Sequence, residues 1–212
     1  MNAFDTPIIS GLAVLSTLVF LFNIRSFTRI LPALARCLVR WKSNLELENS
    51  LQLSRSRNLV AALLFIPFSL LIYELDLYRP QFLQQLSPIW QFPAVAGIFL
   101  AYLLLRGYLN RQLEMQDFGS QVFTAANRSF YNYMILLFLF LFAVGGLIQF
   151  FLGDLPAKNR ILTFLVAMYY LFFLLRRGQI FASVCNPFTT ILYLCGLEIL
   201  PTGILVIVAI LL

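Results

Sequence analysis

Long apolar runs alternate with short polar segments along the whole chain, and six of these runs approach the length of a membrane span. A hydrocarbon layer of about 30 Å is crossed by about 20 helical residues. No internal repeat or soluble domain interrupts the pattern. The sequence therefore predicts a single transmembrane domain over 1–212, an all-α integral membrane six-helix bundle. The predicted spans cover about 8–24, 58–73, 88–105, 131–152, 161–175 and 187–212.

Three of the spans open with the same pair, in which a Thr, Ser or Asn precedes a proline at position 7, 88 or 187. Such a side chain can cap a helix. Proline is favoured in the first turn because the N–H that it lacks would have no partner there. The pairs therefore predict helix starts at Pro7, Pro88 and Pro187.

The stretch that follows the first span has an amphipathic helical pattern over about 26–45. Apolar residues such as Phe27 and Leu34 recur at helical spacing, while arginines occupy another face. An apolar face in the acyl boundary, with arginines at the headgroups, is typical of a helix that lies along the membrane surface. We expect a cytoplasmic surface helix that serves as an interfacial connector or docks a partner. The candidate docking residues are Arg29, Arg36, Arg40 and Trp41.

The composition points to the same class of protein. Of the residues, 61% are hydrophobic and only 11% are charged, whereas soluble domains carry about 25% charged residues. Lipid must therefore contact much of the surface. The chain has no histidine, and its three cysteines form no CxxC pair, which excludes histidine-dependent catalysis and argues against a zinc site. We expect no catalytic residues, no metal and no cofactor.

The basic residues, which give a net charge of +6, lie mostly on one side of the predicted membrane. An excess of Lys and Arg marks the cytoplasmic loops of membrane proteins. The sequence thus predicts a bacterial inner-membrane protein with both termini in the periplasm and anionic headgroups beside its basic loops. Nucleic acid is not an expected partner. The basic side holds Arg25, Arg29, Arg36, Arg40, Lys42, Arg55, Arg57, Arg106, Arg111, Arg128, Arg176 and Arg177; the other side holds Arg79, Lys158 and Arg160.

One acidic residue, Glu198, interrupts the last apolar run. It lies eleven residues after Pro187, about 16 Å of helix rise, which predicts a position near the bilayer midplane. An acid at that depth costs about 2.5–3.5 kcal/mol. Pro201 has no N–H to donate to the carbonyl of Leu197, so it should bend the helix close to Glu198. Because irregular backbone in a membrane faces protein or water, we expect Glu198 to point into the bundle.

The sequence leaves the partner of this carboxyl group open. Glu198, Pro201 and Tyr193 form the candidate intramembrane site. Glu198 could hydrogen-bond to other helices as a structural group, or it could carry protons in a transporter. The candidate partners are Tyr102, Tyr133, Tyr169, Tyr170, Tyr193, Gln149, Asn23, Arg106 and Arg176.

Two segments resemble a known family. The tail Ile191-Leu-Tyr-Leu-Cys-Gly-Leu-Glu-Ile-Leu-Pro is similar to the C-terminal signature of uncharacterised multi-pass membrane proteins of Bacteroidota that share a domain of unknown function. The stretch that begins at Arg36, together with Leu47-Glu-Asn-Ser-Leu-Gln-Leu-Ser-Arg, resembles the first cytoplasmic loop of that family. The resemblance implies an all-helical inner-membrane protein with no assigned activity. It supplies no catalytic residues.

Two functional hypotheses follow. The first is a non-enzymatic scaffold or accessory subunit of a membrane complex, which binds a membrane-protein partner or a second copy of itself. The alternative is a small proton-coupled transporter or channel that uses Glu198. A membrane-embedded enzyme that acts on lipid is a distant third, because no second polar group of a catalytic pair stands at the depth of Glu198.

Overall fold

The computed structural model describes residues 7–40, 42–78, 80–112, 120–152, 157–183 and 186–211. Helices make up nearly all of this part of the chain, and no strand occurs in it. The described chain is therefore an all-α helical bundle, as the sequence predicted. The helices are α1 (Pro7–Phe22), α2 (Ile24–Val39), α3 (Ser43–Asn49), α4 (Leu51–Glu74), α5 (Gln81–Gln84), α6 (Pro88–Gln112), α7 (Ser120–Leu152), α8 (Ala157–Ala182), α9 (Pro187–Leu194) and α10 (Leu200–Leu211), with a π-helical turn at Cys195–Ile199 between the last two.

Three helices begin at the prolines that the sequence singled out. α1 starts at Pro7, α6 at Pro88 and α9 at Pro187. The expected side-chain cap is not formed in α9, since Asn186 makes no capping hydrogen bond there. The three predicted helix starts are therefore confirmed. The fixed φ of proline accounts for them.

Five of the helices are long and apolar enough to cross a membrane, which indicates a multi-pass membrane protein. Within the described residues, a sixth crossing exists only if α1 and α2 count as one span, and the pair is bent by 73°. α1 alone has 16 residues, fewer than the roughly 20 that a bilayer requires. Of the six predicted spans, the first is thus the one with the least structural support as a separate crossing.

Helix α4 lies at the centre of the bundle and packs against α1, α2, α3, α6 and α7. α7 also packs against α8. Buried side chains of α2, α4 and α7 form most of the main apolar core, together with Leu162 and Phe173 of α8. The C-terminal element, from α9 to α10, lies against α8 and α6. This arrangement brings α6, α8 and the π-helical turn together, which decides where Glu198 lies.

The surface helix differs from its prediction in what covers its apolar face. Phe27, Ile30 and Leu34 of α2 are buried in the core that α4 and α7 share. The face therefore contacts protein, where the sequence pattern had predicted the acyl boundary of the membrane. The helix also ends earlier than predicted, because the backbone is extended at Arg40 and α3 then begins at Ser43. The amphipathic pattern was correct, but it cannot distinguish lipid from a neighbouring helix.

On the basic side, four helices continue beyond their apolar runs. α4 begins at Leu51, where the sequence predicted a start at 58, and α7 begins at Ser120, where it predicted 131. α6 and α8 end at Gln112 and Ala182, where the predicted ends were 105 and 175. Each extension adds about two to three helical turns. Arginines that the sequence had assigned to loops are therefore helical, and three of them are buried: Arg57, Arg106 and Arg177.

Candidate functional site

Glu198 lies within the π-helical turn of the C-terminal element. The N–H of Leu200 donates to the carbonyl of Cys195, five residues back, which is the hydrogen bond that defines a π-helix. Pro201 follows directly and has no N–H for an ordinary helical bond, so the helix widens where the sequence predicted a disturbance. Such turns often occur at functional sites. The side chain of Glu198 is fully buried, so it does point into the bundle.

Two arginines from other helices converge on this carboxylate. Arg106 of α6 donates to Glu198 Oε1 from Nη2 at 2.9 Å and from Nε at 3.3 Å. Arg177 of α8 donates to the same oxygen from Nη1. The side chains of Arg106, Arg177 and Glu198 are 5%, 0% and 0% exposed. This cluster, the Glu198 triad, links α6, α8 and the π-helical turn through charge-assisted hydrogen bonds, which are about twice as strong as neutral ones.

Three hydroxyl groups and a backbone carbonyl lie close to the triad. Tyr170 donates to the backbone carbonyl of Glu198 at 3.0 Å, and that contact holds the widened turn against α8. The hydroxyls of Tyr102 and Thr202 lie 3.4 Å apart. The Nη2 group of Arg106 also reaches the backbone carbonyl of Asn127, at 3.5 Å. The C-terminal element is thereby hydrogen-bonded to α8 at Glu198 and to α6 at Thr202.

Aromatic rings enclose the two guanidinium groups. The Arg106 guanidinium lies over the ring of Phe130, with 3.9 Å between Cζ and the ring centroid. Arg177 lies between Phe173 and Phe181, with corresponding distances of 5.9 and 5.6 Å. Such cation–π contacts contribute about 0.5–2 kcal/mol each, the larger values being found where water is excluded. The rings keep the triad in a medium of low polarity, where its charges interact strongly.

The triad is not electrically balanced. Among the side chains that the structure describes, two guanidinium groups face one carboxylate, so one positive charge of the triad is not neutralised there. Among the described residues, Glu198 Oε2 and the Nε and Nη2 groups of Arg177 have no hydrogen-bond partner. Burying an uncompensated charge or an unpaired polar atom is costly. These unpartnered atoms could therefore form further hydrogen bonds, for example to a ligand.

The other predicted residues are distributed over the fold. Pro201 is buried beside the triad, and Tyr193 stacks on Phe181 at 5.6 Å in a neighbouring apolar cluster. Arg29 and Arg36 are exposed on α2, and Arg40 is exposed directly after it. Trp41 lies outside the described residues.

Of the partners considered for Glu198, Arg106 binds its carboxylate and Tyr170 binds its backbone. Several others bond elsewhere: Asn23 to Val19 O, Tyr133 to Cys37 O, Tyr169 to Tyr133 O and Arg176 to Gln179. The side chain of Gln149 lies outside the described residues. Sequence reasoning missed Arg177, because the apolar run before it ends at Leu175. Its helical spacing from the core residues Phe173 and Ile180 is the signal that could have found it.

A second cluster of one glutamate and two arginines lies where α3 meets α4 and α7, and is called the Glu48 triad here. Arg57 Nη1 donates to Glu48 Oε2 at 2.8 Å, and Arg128 donates to Oε1. Every donor group of Arg57 is used, because Nε and Nη2 bind Asn58 and Nη2 also binds Ser54. Arg57 is 1% exposed, but Arg128 is 42% exposed. The surplus positive charge of this triad therefore reaches the surface.

Comparison with protein-family models, with curated proteins and with solved structures finds no match for this chain. Within the described ranges, no group of three or more acidic, cysteine or histidine side chains could hold a metal ion. The two triads and the exposed basic face of α2 are therefore the candidate functional features of the chain.

Proposed function

We propose that this chain is a non-enzymatic scaffold or accessory subunit of a membrane complex. The observation that carries the proposal is the position of its one buried acid in the C-terminal span. The Glu198 carboxyl group accepts hydrogen bonds from guanidinium groups of α6 and α8 and so connects both helices to the C-terminal span. A group held in this way fastens helices together.

The neighbours of Glu198 also argue against catalysis. A catalytic carboxyl group gives or takes a proton in concert with a second group that can do the same. Arginine stays protonated at all physiological pH values and has no acceptor atom. Among the described residues, the two groups that donate to this carboxylate are both arginines, so they cannot complete an acid–base pair with it.

The surface that would bind a partner is the exposed basic face of α2. Arg29, Arg36 and Arg40 are exposed, while the apolar face of the same helix is buried in the bundle. The bundle thus fixes α2 and presents its arginines outward. An acidic segment of a membrane-protein partner, or of a second copy of this chain, fits this face, and anionic headgroups lie beside it.

Neutralising this face tests the proposal. We expect Arg29→Gln/Arg36→Gln/Arg40→Gln to abolish a crosslinked complex that the wild-type chain forms in native membranes, because the charge that attracts the partner is removed. The control is Arg55→Gln, which neutralises an exposed arginine at the start of α4. Crosslinking followed by mass spectrometry identifies the partner and reveals self-association. A wild-type chain that crosslinks to nothing and stays monomeric in mild detergent would refute the proposal.

We place the protein in the bacterial inner membrane, with the basic ends of α4, α6, α7 and α8 on the cytoplasmic side. The excess of arginine at these helix ends supports this orientation, whereas membership of the Bacteroidota family stays a prediction. Six crossings put both termini in the periplasm, whereas five put them on opposite sides. Alkaline phosphatase fusions to each terminus distinguish six crossings from five, since the enzyme is active only in the periplasm.

The alternative function, a proton-coupled transporter or channel, has one observation in its favour. Glu198 Oε2 is buried and has no hydrogen-bond partner among the described residues, so it could accept a proton. Glu198→Gln keeps the shape of the side chain and removes its charge. Loss of proton flux in reconstituted vesicles, with the protein still folded, would favour transport, whereas unchanged flux would exclude a relay through Glu198.

A further inference from the structure

The two triads have the same composition, but their surplus positive charge lies at the surface in one and is buried in the other. In the Glu48 triad, the buried Arg57 uses every donor group, and the surplus charge is at Arg128, which is 42% exposed. In the Glu198 triad, all three side chains are at most 5% exposed. One chain thus shows both a completed cluster and an incomplete one. Within the described part of the chain, the incomplete cluster lacks one negative charge.

The unused atoms of Arg177 have a particular arrangement. Nη1 binds Glu198, while Nε and Nη2 have no partner among the described residues. In a planar guanidinium group these two nitrogens lie on one edge and point their N–H groups in parallel. This edge is the fork that binds two oxygens of a phosphate or carboxylate group. An anion with two oxygens would therefore both supply the missing negative charge and bind the unused edge of Arg177.

We propose that the Nε–Nη2 edge of Arg177 binds a phosphate group that carries the missing negative charge, supplied by an anionic phospholipid headgroup or by free phosphate. A phosphodiester has one negative charge, which would neutralise the surplus. Arg177 lies five residues before the end of α8 at Ala182, about 7.5 Å of helix rise, so the site is within reach of a headgroup at that end. Basic pockets between transmembrane helices bind such headgroups.

Burial of the site predicts how the ligand exchanges. Since Arg177 is fully buried, α8 must separate locally from the neighbouring C-terminal element before a phosphate group can enter or leave. We therefore expect slow exchange, so that the ligand stays bound when the protein is purified in a mild, phosphate-free detergent.

Native mass spectrometry of the purified protein tests this inference. We expect one bound phospholipid or phosphate per chain, retained by Arg176→Lys and reduced at least tenfold in Arg177→Lys. Lysine keeps the positive charge but lacks the two-donor edge. Arg176 is the matched control because it directly precedes Arg177 in α8, while its guanidinium donates to Gln179 and lies over the ring of Phe172. Equal loss from both variants, or no bound ligand in the wild type, would overturn the proposal.

A second measurement uses wild-type protein alone and identifies the source of the phosphate. Delipidated protein in maltoside micelles is unfolded by heat after addition of phosphatidylglycerol, phosphatidylcholine or inorganic phosphate, at an ionic strength matched with KCl. A rise of roughly several degrees in Tm with phosphatidylglycerol alone identifies an anionic lipid, and a rise with inorganic phosphate identifies a free anion. If none of the three raises Tm above the KCl control, the edge is satisfied by water or by Glu198 itself and the proposal fails.

Discussion

Replacing Glu198 by glutamine is expected to lower the free energy of unfolding by about 3–5 kcal/mol, the usual cost of removing one member of a buried ion pair. The variant leaves the guanidinium groups of Arg106 and Arg177 side by side, at most 5% exposed, with no negative charge between them. Glutamine has nearly the same shape, so the loss reports charge and not packing. Denaturant titration of the detergent-solubilised protein, with helix content as the signal, measures the change.

Two further variants show whether the cause is charge. Glu46→Gln removes an exposed carboxylate from α3 and should change the unfolding free energy by no more than about 0.5 kcal/mol. Replacing the whole triad, as Arg106→Met/Arg177→Met/Glu198→Met, should recover most of the lost stability, because apolar residues of similar size replace buried ion clusters at little or no cost. If Glu198→Gln is as stable as the wild type, the triad does not hold the three helices together.

The sequence predicted the inward orientation of Glu198 because its physical basis is local. A charged residue between long apolar stretches must face protein or water, because lipid would not solvate it. Pro201 marks where the helix departs from regular geometry. The partners are not local properties. Arg106 was one of several candidates, and Arg177 was missed because an apolar run was taken to end where its helix ends. α8 continues because Ile180 and Phe181 are buried, and burial depends on α7 and α9.

The fold shows the same division between local and tertiary information. The all-α class and the helix starts at Pro7, Pro88 and Pro187 follow from hydrophobic runs and backbone restriction, which act within a few residues. The amphipathic pattern of α2 correctly separated its buried face from its arginines. Which surface covers Phe27 and Leu34 depends on how α4 and α7 pack, and that contact joins residues far apart in sequence.

The second large effect is expected at Glu48. Glu48→Gln should destabilise the attachment of α3 by about 1–3 kcal/mol, the cost of leaving the charged and buried Arg57 without a negatively charged partner. The effect should be smaller than at Glu198, because Glu48 is 12% exposed and Arg128 is 42% exposed. α3 has only seven residues, too few to be stable as an isolated helix. Its helical structure therefore depends on contacts with α4 and α7.

Amide hydrogen exchange locates this effect. We expect the amides of α3 to exchange roughly five- to a hundredfold faster in Glu48→Gln, since about 1.4 kcal/mol corresponds to a factor of ten, while the amides of α8 stay unchanged. Glu46→Gln, on the exposed side of the same helix, should not alter exchange. Asn132 of α7 still donates to Asn44 of α3 at 2.9 Å, and Leu47 remains buried, so α3 should loosen without unfolding the bundle. Unchanged exchange in α3 would mean that this amide pair and Leu47 are sufficient to hold it, and that the Glu48 triad serves another purpose.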